Sequence, residues 1–272
     1  MGIEVPLVAE DEQRRIADFL DDRVSRIDRI IAARREQVNL VATAQNSIAD
    51  DLLLQVVDLP WVRLGTFVTG IEQGWSPQCD SAGADEGEWG VVKVSAVQRG
   101  HFQERENKRL PDDVSPRLEY RLLPGDLLVT RANSPDRVGY FTVVPEGVRD
   151  RLILCDKIMR LEIDDRVEPR FVSLVGQSRR TRDRFHLAAT GTSDSMVNIR
   201  GDDVRGVPIP VIPMARQRAL VADWERGTIE NRERSAQLMT SIDLLAEYKA
   251  SLITAAVTGE LDVTTAGSTI PE

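Results

Sequence analysis

The chain has 272 residues, 42% of them hydrophobic and 29% charged, and a formal net charge of −9. That length allows one large domain or two small ones, and the composition fits a globular protein carrying much exposed helix. No run of about 18 apolar residues offers a membrane span, and MGIEVPLVAEDEQ lacks the basic-then-apolar order of a secretory signal. Two distant cysteines, Cys79 and Cys155, and two histidines, His101 and His186, are a poor basis for a Cys/His metal site. Reduced thiols in a cytoplasmic protein are expected.

The first predicted element is a helix over residues 10–57. Its apolar positions fall at Ile16, Leu20, Val24, Ile27, Ile31, Val38, Val41, Ile48 and Leu52, with Arg34 and Gln45 completing the series. Beyond the first two, the steps alternate between four and three, which is a heptad seam. The other faces carry charges such as Asp21, Arg26, Arg29 and Glu36, and no Gly or Pro interrupts the run. At about 1.5 Å per residue such a helix is roughly 60 Å long.

The texture changes at 59–213, where short apolar runs alternate with turns. WVRLGTF (61–67), WGVVKVSAV (89–97), LLPGDLLVTRA (122–132), VGYFTVV (138–144) and RLILCDKIMRLEI (151–163) read as strands. FVSLVGQSRRTRDRFH (171–186) has helical spacing. A compact mixed domain is expected, without the regular βαβ order of a nucleotide-binding fold. It holds 22 basic and 23 acidic side chains, against 13 and 21 in the rest of the chain, so the acidity sits mostly in the flanks.

A second helix is predicted over residues 214–257. Shifted by 204 residues without a gap, the first seam recurs as Leu220, Trp224, Thr228, Asn231, Ser235, Leu238, Ile242, Leu245, Lys249, Leu252 and Ala256. Gln13-Arg14 matches Gln217-Arg218, and Pro6 and Pro213 each precede a helix start, where a fixed φ does no harm. Gly259 is a plausible C-cap. This is an internal repeat: helix, insert, helix, with the two helices antiparallel if they pair. Polar seam positions either fix register or mark a third partner's docking place; an ordinary helical bundle also accounts for the periodicity.

No constellation for catalysis is present. The GxGxxG, phosphate-loop, HExxH and GxSxG patterns are all missing. Asp112-Asp113, Asp164-Asp165 and Asp202-Asp203 read as turns or caps. Two segments offer a polar binding surface: the run Arg179, Arg180, Arg182, Arg184, and the stretch Thr190–Ser195 with Thr192, Ser193 and Ser195, followed by Asn198. Arginines and small hydroxyls beside a glycine suit phosphate and base-edge contacts. A solvated helix end followed by a loop is the plain alternative.

Four segments, in order, resemble the specificity (S) subunits of type I restriction–modification systems. EQRRIADFLDDRVSRIDRIIAARREQ (12–37) is similar to that family's spacer helix, and PGDLLVTRANSPDRVG (124–139) to a strand and polar turn of its target-recognition domain. GTSDSMVNI (191–199), followed by VPIPVIP, resembles the link from that domain to the second helix, and EYKASLITAAVTGELDV (247–263) the C-terminal ending. The resemblance implies an α+β architecture, with one mixed α/β target-recognition domain inserted between two long helices forming an antiparallel coiled coil. The implied divisions are 1–57 for the first spacer helix, 58–213 for the recognition domain, 214–260 for the second helix and 261–272 for a flexible tail.

The function that the resemblance implies is DNA reading without catalysis. The partners would be double-stranded DNA, a methylation subunit that carries the S-adenosylmethionine, and a motor-nuclease subunit; no cofactor is expected on this chain. Arg131, Asn133, Ser134 and Arg137 join Arg179, Arg180, Arg182, Arg184, Thr192, Ser193, Ser195 and Asn198 as expected DNA contacts. Members of that family usually carry two recognition domains, whereas this sequence matches one. A half-length subunit that forms a homodimer, a chain needing a separate half-subunit, and a truncated product all fit that departure. From a different class, a coiled-coil interaction module whose insert binds another protein fits the net charge.

Overall fold

The computed structural model describes residues 9–79, 82–193 and 196–263. Helix α1 (Glu10–Leu54) leads to strands β1 (Trp61–Arg63), β2 (Val68–Gln73), β3 (Gly90–Val92), β4 (Val97–Gln98), β5 (His101–Phe102) and β6 (Asn107–Arg109). Then come β7 (Leu127–Thr130), β8 (Ala132–Asn133), β9 (Phe141–Val143), β10 (Leu152–Ile153) and β11 (Ile158–Ile163). Helices α2 (Pro169–Gln177) and α3 (Arg179–Ala188), the pair β12 (Thr190–Ser193) and β13 (Met196–Asn198), helix α4 (Gly201–Arg205), β14 (Pro208–Pro210) and helix α5 (Met214–Thr258) complete the chain. The chain divides into a helical unit, up to Gln45 and from Thr228, and a mixed unit, Asn46–Gly227.

In the helical unit α1 and α5 run antiparallel. Lys249 Nζ reaches the Asp28 carboxylate at 2.6 and 2.8 Å, and at the other end of the unit Gln45 Nε2 donates to Thr228 Oγ1 at 3.1 Å. Between them Ile27, Ile31, Ile242 and Leu252 are buried together, and Leu20, Val38 and Leu245 pack against them half-exposed. Three of the polar seam positions, Gln45, Thr228 and Lys249, thus make specific cross-helix bonds. Helix α5 ends at Gly259, whose φ of 77° is the left-handed conformation that lets a terminal carbonyl be capped. The expected tail from 264 onward lies outside the described residues.

The mixed unit is built on a four-stranded antiparallel sheet, β2-β11-β7-β9. Strand β7 is buried along its whole length, so alternate residues serve two cores. Leu127 and Val129 face α2, α3 and the last turns of α1 with the first of α5, in a cluster that includes Phe141, Phe171 and Phe185. Leu128 faces the second cluster with Val91, Val92, Phe102, Leu152 and Ile158. The seam residues Leu220 and Trp224 are buried in the first of these clusters, with Ile48 and Leu52 packed against it. That stretch of the seam therefore lies in the domain core. Strands β1 and β14 pair antiparallel, Trp61 opposite Pro210, and fasten the incoming and outgoing chain side by side. Gln217 closes the same end: it is buried, accepts from the Glu168 amide at 2.9 Å and donates to the carbonyls of Arg166 and Ile212.

Several sequence-read elements are divided in the structure. RLILCDKIMRLEI is two strands, because β10 pairs parallel with β3 while β11 pairs antiparallel with β2 and β7. The chain must turn between the two sheets, and the Ile158 amide donates to the Cys155 carbonyl as it does so. WVRLGTF and WGVVKVSAV each keep three residues of strand before a single 3-10 turn. The helical run 171–186 breaks at Ser178, whose ψ of 149° leaves the helix and whose hydroxyl accepts from the Thr181 amide as an N-cap.

Candidate nucleic-acid interface

The turn after β7 is built around Thr130, which is buried. Its hydroxyl donates to the Arg137 carbonyl at 2.8 Å and accepts from the Tyr140 amide at 2.9 Å, closing residues 131–138 into a loop. Inside it the Asn133 side-chain oxygen accepts the Ser134 amide, and the Ser134 carbonyl accepts the amides of Arg137 and Val138. Gly139 ends the loop with φ of 73°, and a Cβ there would overlap the ring of Phe185. Glycine is therefore required for both conformation and space.

The second polar segment arrives at the same place from 60 residues further along the chain. Strand β13 lies between β12 and β8, with Val197 opposite Asn133 and Asn198 opposite Ala132. The Ile199 amide donates to the Arg131 carbonyl at 2.9 Å, while the amides of Arg131 and Ala132 donate to the Lys157 carbonyl. The TGTSDS stretch thus contributes Thr190–Ser193 to a strand. Arg131, Asn133, Ser134 and Asn198 are half-buried and Arg137 is exposed. Thr192 and Ser193 lie on β12, and Ser195 lies outside the described residues. One small sheet therefore joins two groups that the sequence offered separately.

The arginine run does not form one phosphate-binding face. Successive residues of α3 are turned by about 100°, so Arg179 and Arg182 lie on one side of the helix and Arg180 and Arg184 on another. Arg182 is turned inward: it donates to the carbonyls of Val138 at 2.7 Å and Asp136 at 3.1 Å and lies 4.7 Å from the centre of the Tyr140 ring. Burial lowers its pKa, with Tyr140 acting in the opposite sense. Its charge is committed to bracing the 131–138 loop, so Arg182 is a positioning residue rather than an open phosphate contact. Arg180 stacks on Trp61 at 4.8 Å, and Arg184, exposed, runs beside Gly206 in space that a side chain there would fill. The Arg179 amide donates to the Asp50 carboxylate at 2.8 Å.

Two residues in these contacts escaped the sequence reading. Lys157 sits in the turn inside the strand-like run 151–163, and no local pattern ties it to Arg131, 26 residues away. Arg99 braces the back of the domain, donating to the Gln177 carbonyl at 2.7 Å and to Asn46; burial lowers its pKa. Among the described residues no group of three or more His, Cys, Asp or Glu is placed to hold a metal ion, and no helix is long and apolar enough to cross a membrane.

Comparison with known proteins gives a consistent set of relatives. The chain is 36% identical over 184 residues to the specificity subunit of the type I restriction enzyme EcoEI of Escherichia coli, covering 65% of this chain and 31% of that protein. It is 22% identical over 278 residues to the EcoKI specificity subunit of E. coli strain K12, covering 95% and 58%. The chain thus matches about a third of one curated relative and somewhat over half of the other. Among solved structures, a chain from a study of complex assembly and conformational transition in a type I R-M system superposes with a TM-score of 0.69 at 18% identity. That match covers 94% of this chain and 62% of the other. The HsdS subunit of Thermoanaerobacter tengcongensis superposes at 0.53 with 21% identity, covering 94% and 60%. These two likenesses are of fold. No family model matches the chain.

Proposed function

We propose that this chain, a relative of the type I restriction enzyme specificity subunits by sequence and fold, reads DNA as a non-catalytic subunit of a methyltransferase or restriction complex. Its mixed domain reads one part of a DNA target, and its paired helices dock the methylation subunit, which carries the S-adenosylmethionine. A motor-nuclease subunit joins for restriction. The observation that carries the reading is the β12-β13-β8 sheet, which pairs the polar segment of Arg131, Asn133 and Ser134 with that of Asn198, the loop being braced from behind by Arg182. Amide side chains read adenine edges, arginine reads guanine or takes phosphate, and rigid backbone pairing sets their register.

A single recognition domain reads a short sequence, and one mismatched base pair costs only about 1–3 kcal/mol. A second reading head is therefore expected in the working complex, from a homodimer or from a separate half-subunit. The test is co-purification with a methylation subunit followed by mapping of methylated sites. A bipartite symmetric target indicates two copies of this chain, and an asymmetric one indicates a second, different domain. Failure to bind DNA or to direct methylation, with retained binding of another protein through the insert, refutes the reading in favour of an interaction module.

A further inference from the structure

The chain uses 31 arginines and only four lysines, and three of the four, Lys93, Lys108 and Lys157, line one cleft of about 370 Å³. The local folding explains how they meet. Lys93 follows β3 directly and its amide donates to the Glu106 carbonyl, while Lys108 lies on β6, opposite Val91. Lys157 comes from the turn between β10, the parallel neighbour of β3, and β11. The floor is made by Val91, Val92 and Val94, against which lysine stems can lie while their ammonium groups stay in water.

These lysines are unspent. Among the described residues none of the three takes part in a side-chain hydrogen bond or ion pair. Many arginines of the same domain are engaged: Arg160 with Asp126 and Glu72, Arg109 with Glu88 and Asp112, Arg121 with Asp150, and Arg166 with Asp164. One carboxylate, Asp156, also lines the cleft, held by the Ser76 hydroxyl at 2.5 Å, so the lining carries a net charge of +2. The cleft also adjoins the candidate interface through hydrogen bonds, because the Lys157 carbonyl receives the amides of Arg131 and Ala132 at 2.8 and 3.2 Å.

We infer that Lys93, Lys108 and Lys157 form a track for the DNA phosphate backbone that continues the β8/β13 surface past Arg131. The inference rests on the DNA-reading function proposed above and divides its labour: the β8/β13 edge meets bases, and the lysine cleft meets backbone. The choice of residue fits that division. An ammonium group is a rotatable point charge that serves a phosphate without demanding one orientation, whereas arginine's fork supplies planar, bidentate recognition.

The test uses the full chain and fluorescein-labelled duplexes, one of random sequence and one carrying the mapped target. Binding is titrated across a salt series for the wild type, for Lys93→Gln/Lys108→Gln/Lys157→Gln, for the matching Lys→Arg triple variant and for Asn133→Ala/Asn198→Ala. Each lost phosphate contact removes about 0.9 from the slope of log affinity against log salt. The Gln variant should therefore lose about 2.7 units of slope, and its affinity should fall about 40-fold less than the wild type's between about 50 and 200 mM salt. It should weaken on both duplexes alike, keep the wild-type melting temperature, and be restored by arginine. An unchanged slope in the Gln variant, with the Asn variant losing target preference, overturns the lysine track and leaves the DNA-reading function standing. Lysine variants that lose only capture of the methylation subunit make the cleft a protein contact, and overturn it too. A wild type that binds neither duplex overturns both.

Discussion

Replacing Arg182 with alanine removes the brace behind the 131–138 loop. The guanidinium makes one part-buried bond to the Val138 carbonyl, one exposed bond to the Asp136 carbonyl, and a stacking contact with Tyr140. A hydrogen bond from a charged group contributes about 1.5–3 kcal/mol when shielded and less at the surface, and an arginine over an aromatic ring about 0.5–2 kcal/mol. The cost of keeping a guanidinium half-buried offsets part of that total, leaving about 2–3 kcal/mol of net destabilisation. For a unit of this size each kcal/mol moves Tm by about 2–4 °C, so a drop of roughly 4–12 °C is expected in a thermal melt. DNA affinity should fall as the loop loosens, while its salt slope stays at the wild-type value. The alternative role makes the opposite forecast. If Arg182 turned outward to a phosphate, the variant would lose about 0.9 of slope with no loss of Tm, and that pair of results would refute the bracing role.

Other consequences can be measured on the same protein. Ile27→Ala, at a fully buried position between the helices, should cost about 2–4 kcal/mol in denaturant unfolding; half-exposed Leu20 and Leu245 should cost less, and exposed Arg29→Ala less than about 0.5 kcal/mol. Gly139→Ala combines a positive φ with overlap on Phe185 and should lower stability by at least about 2 kcal/mol, read as a shift in the denaturant midpoint. Burial pushes the Cys155 thiol up to about 12, so it should resist a thiol reagent at pH 8 until the domain unfolds, while half-buried Cys79 reacts first. Because the folded pKa is raised, that group's contribution is fully present below its ordinary value of 9.0 and is lost as pH rises from there towards about 12; alkaline melts of Cys155→Ala should be flatter than the wild type's.

The two long helices were legible because their signal is periodic and repeated: eleven seam positions recur at a fixed 204-residue shift. The insert's interior was less legible, for reasons that individual residues make plain. Ser178 interrupts no hydrophobic period, so the break between α2 and α3 is visible only through its capping bond to Thr181. Cys155–Lys157 sits inside an unbroken β-rich run whose two halves belong to different sheets, a fact of pairing rather than of propensity. The pairing of Asn133 with Val197 joins segments with no shared pattern, and spacing alone does not predict it. Nor does closeness in sequence say how the arginine cluster is arranged: the helix places Arg179 and Arg182 on one side and Arg180 and Arg184 on another, and Arg182 turns inward to hold a loop.

These assignments of charge bound how the chain meets DNA. Residues 59–213 carry 22 basic and 23 acidic side chains, so the domain has no overall positive field to draw in a polyanion. Beside the candidate interface lie five cations with no ion pair among the described residues: Arg131 and Arg137 at the loop, then Lys157, Lys93 and Lys108. If each meets one phosphate, the slope of log affinity against log salt is about −4.5, well short of the roughly −10 of a strongly basic reader. With so little electrostatic affinity shared by all sequences, discrimination rests on base contacts and on partners that add their own hold. The isolated chain should accordingly bind random duplex weakly and gain most of its affinity on assembly with the methylation subunit, measured as the ratio of dissociation constants at one fixed salt concentration. A slope near −10 for the isolated chain would mean that further arginines also meet phosphate, and would refute this account of which cations do so.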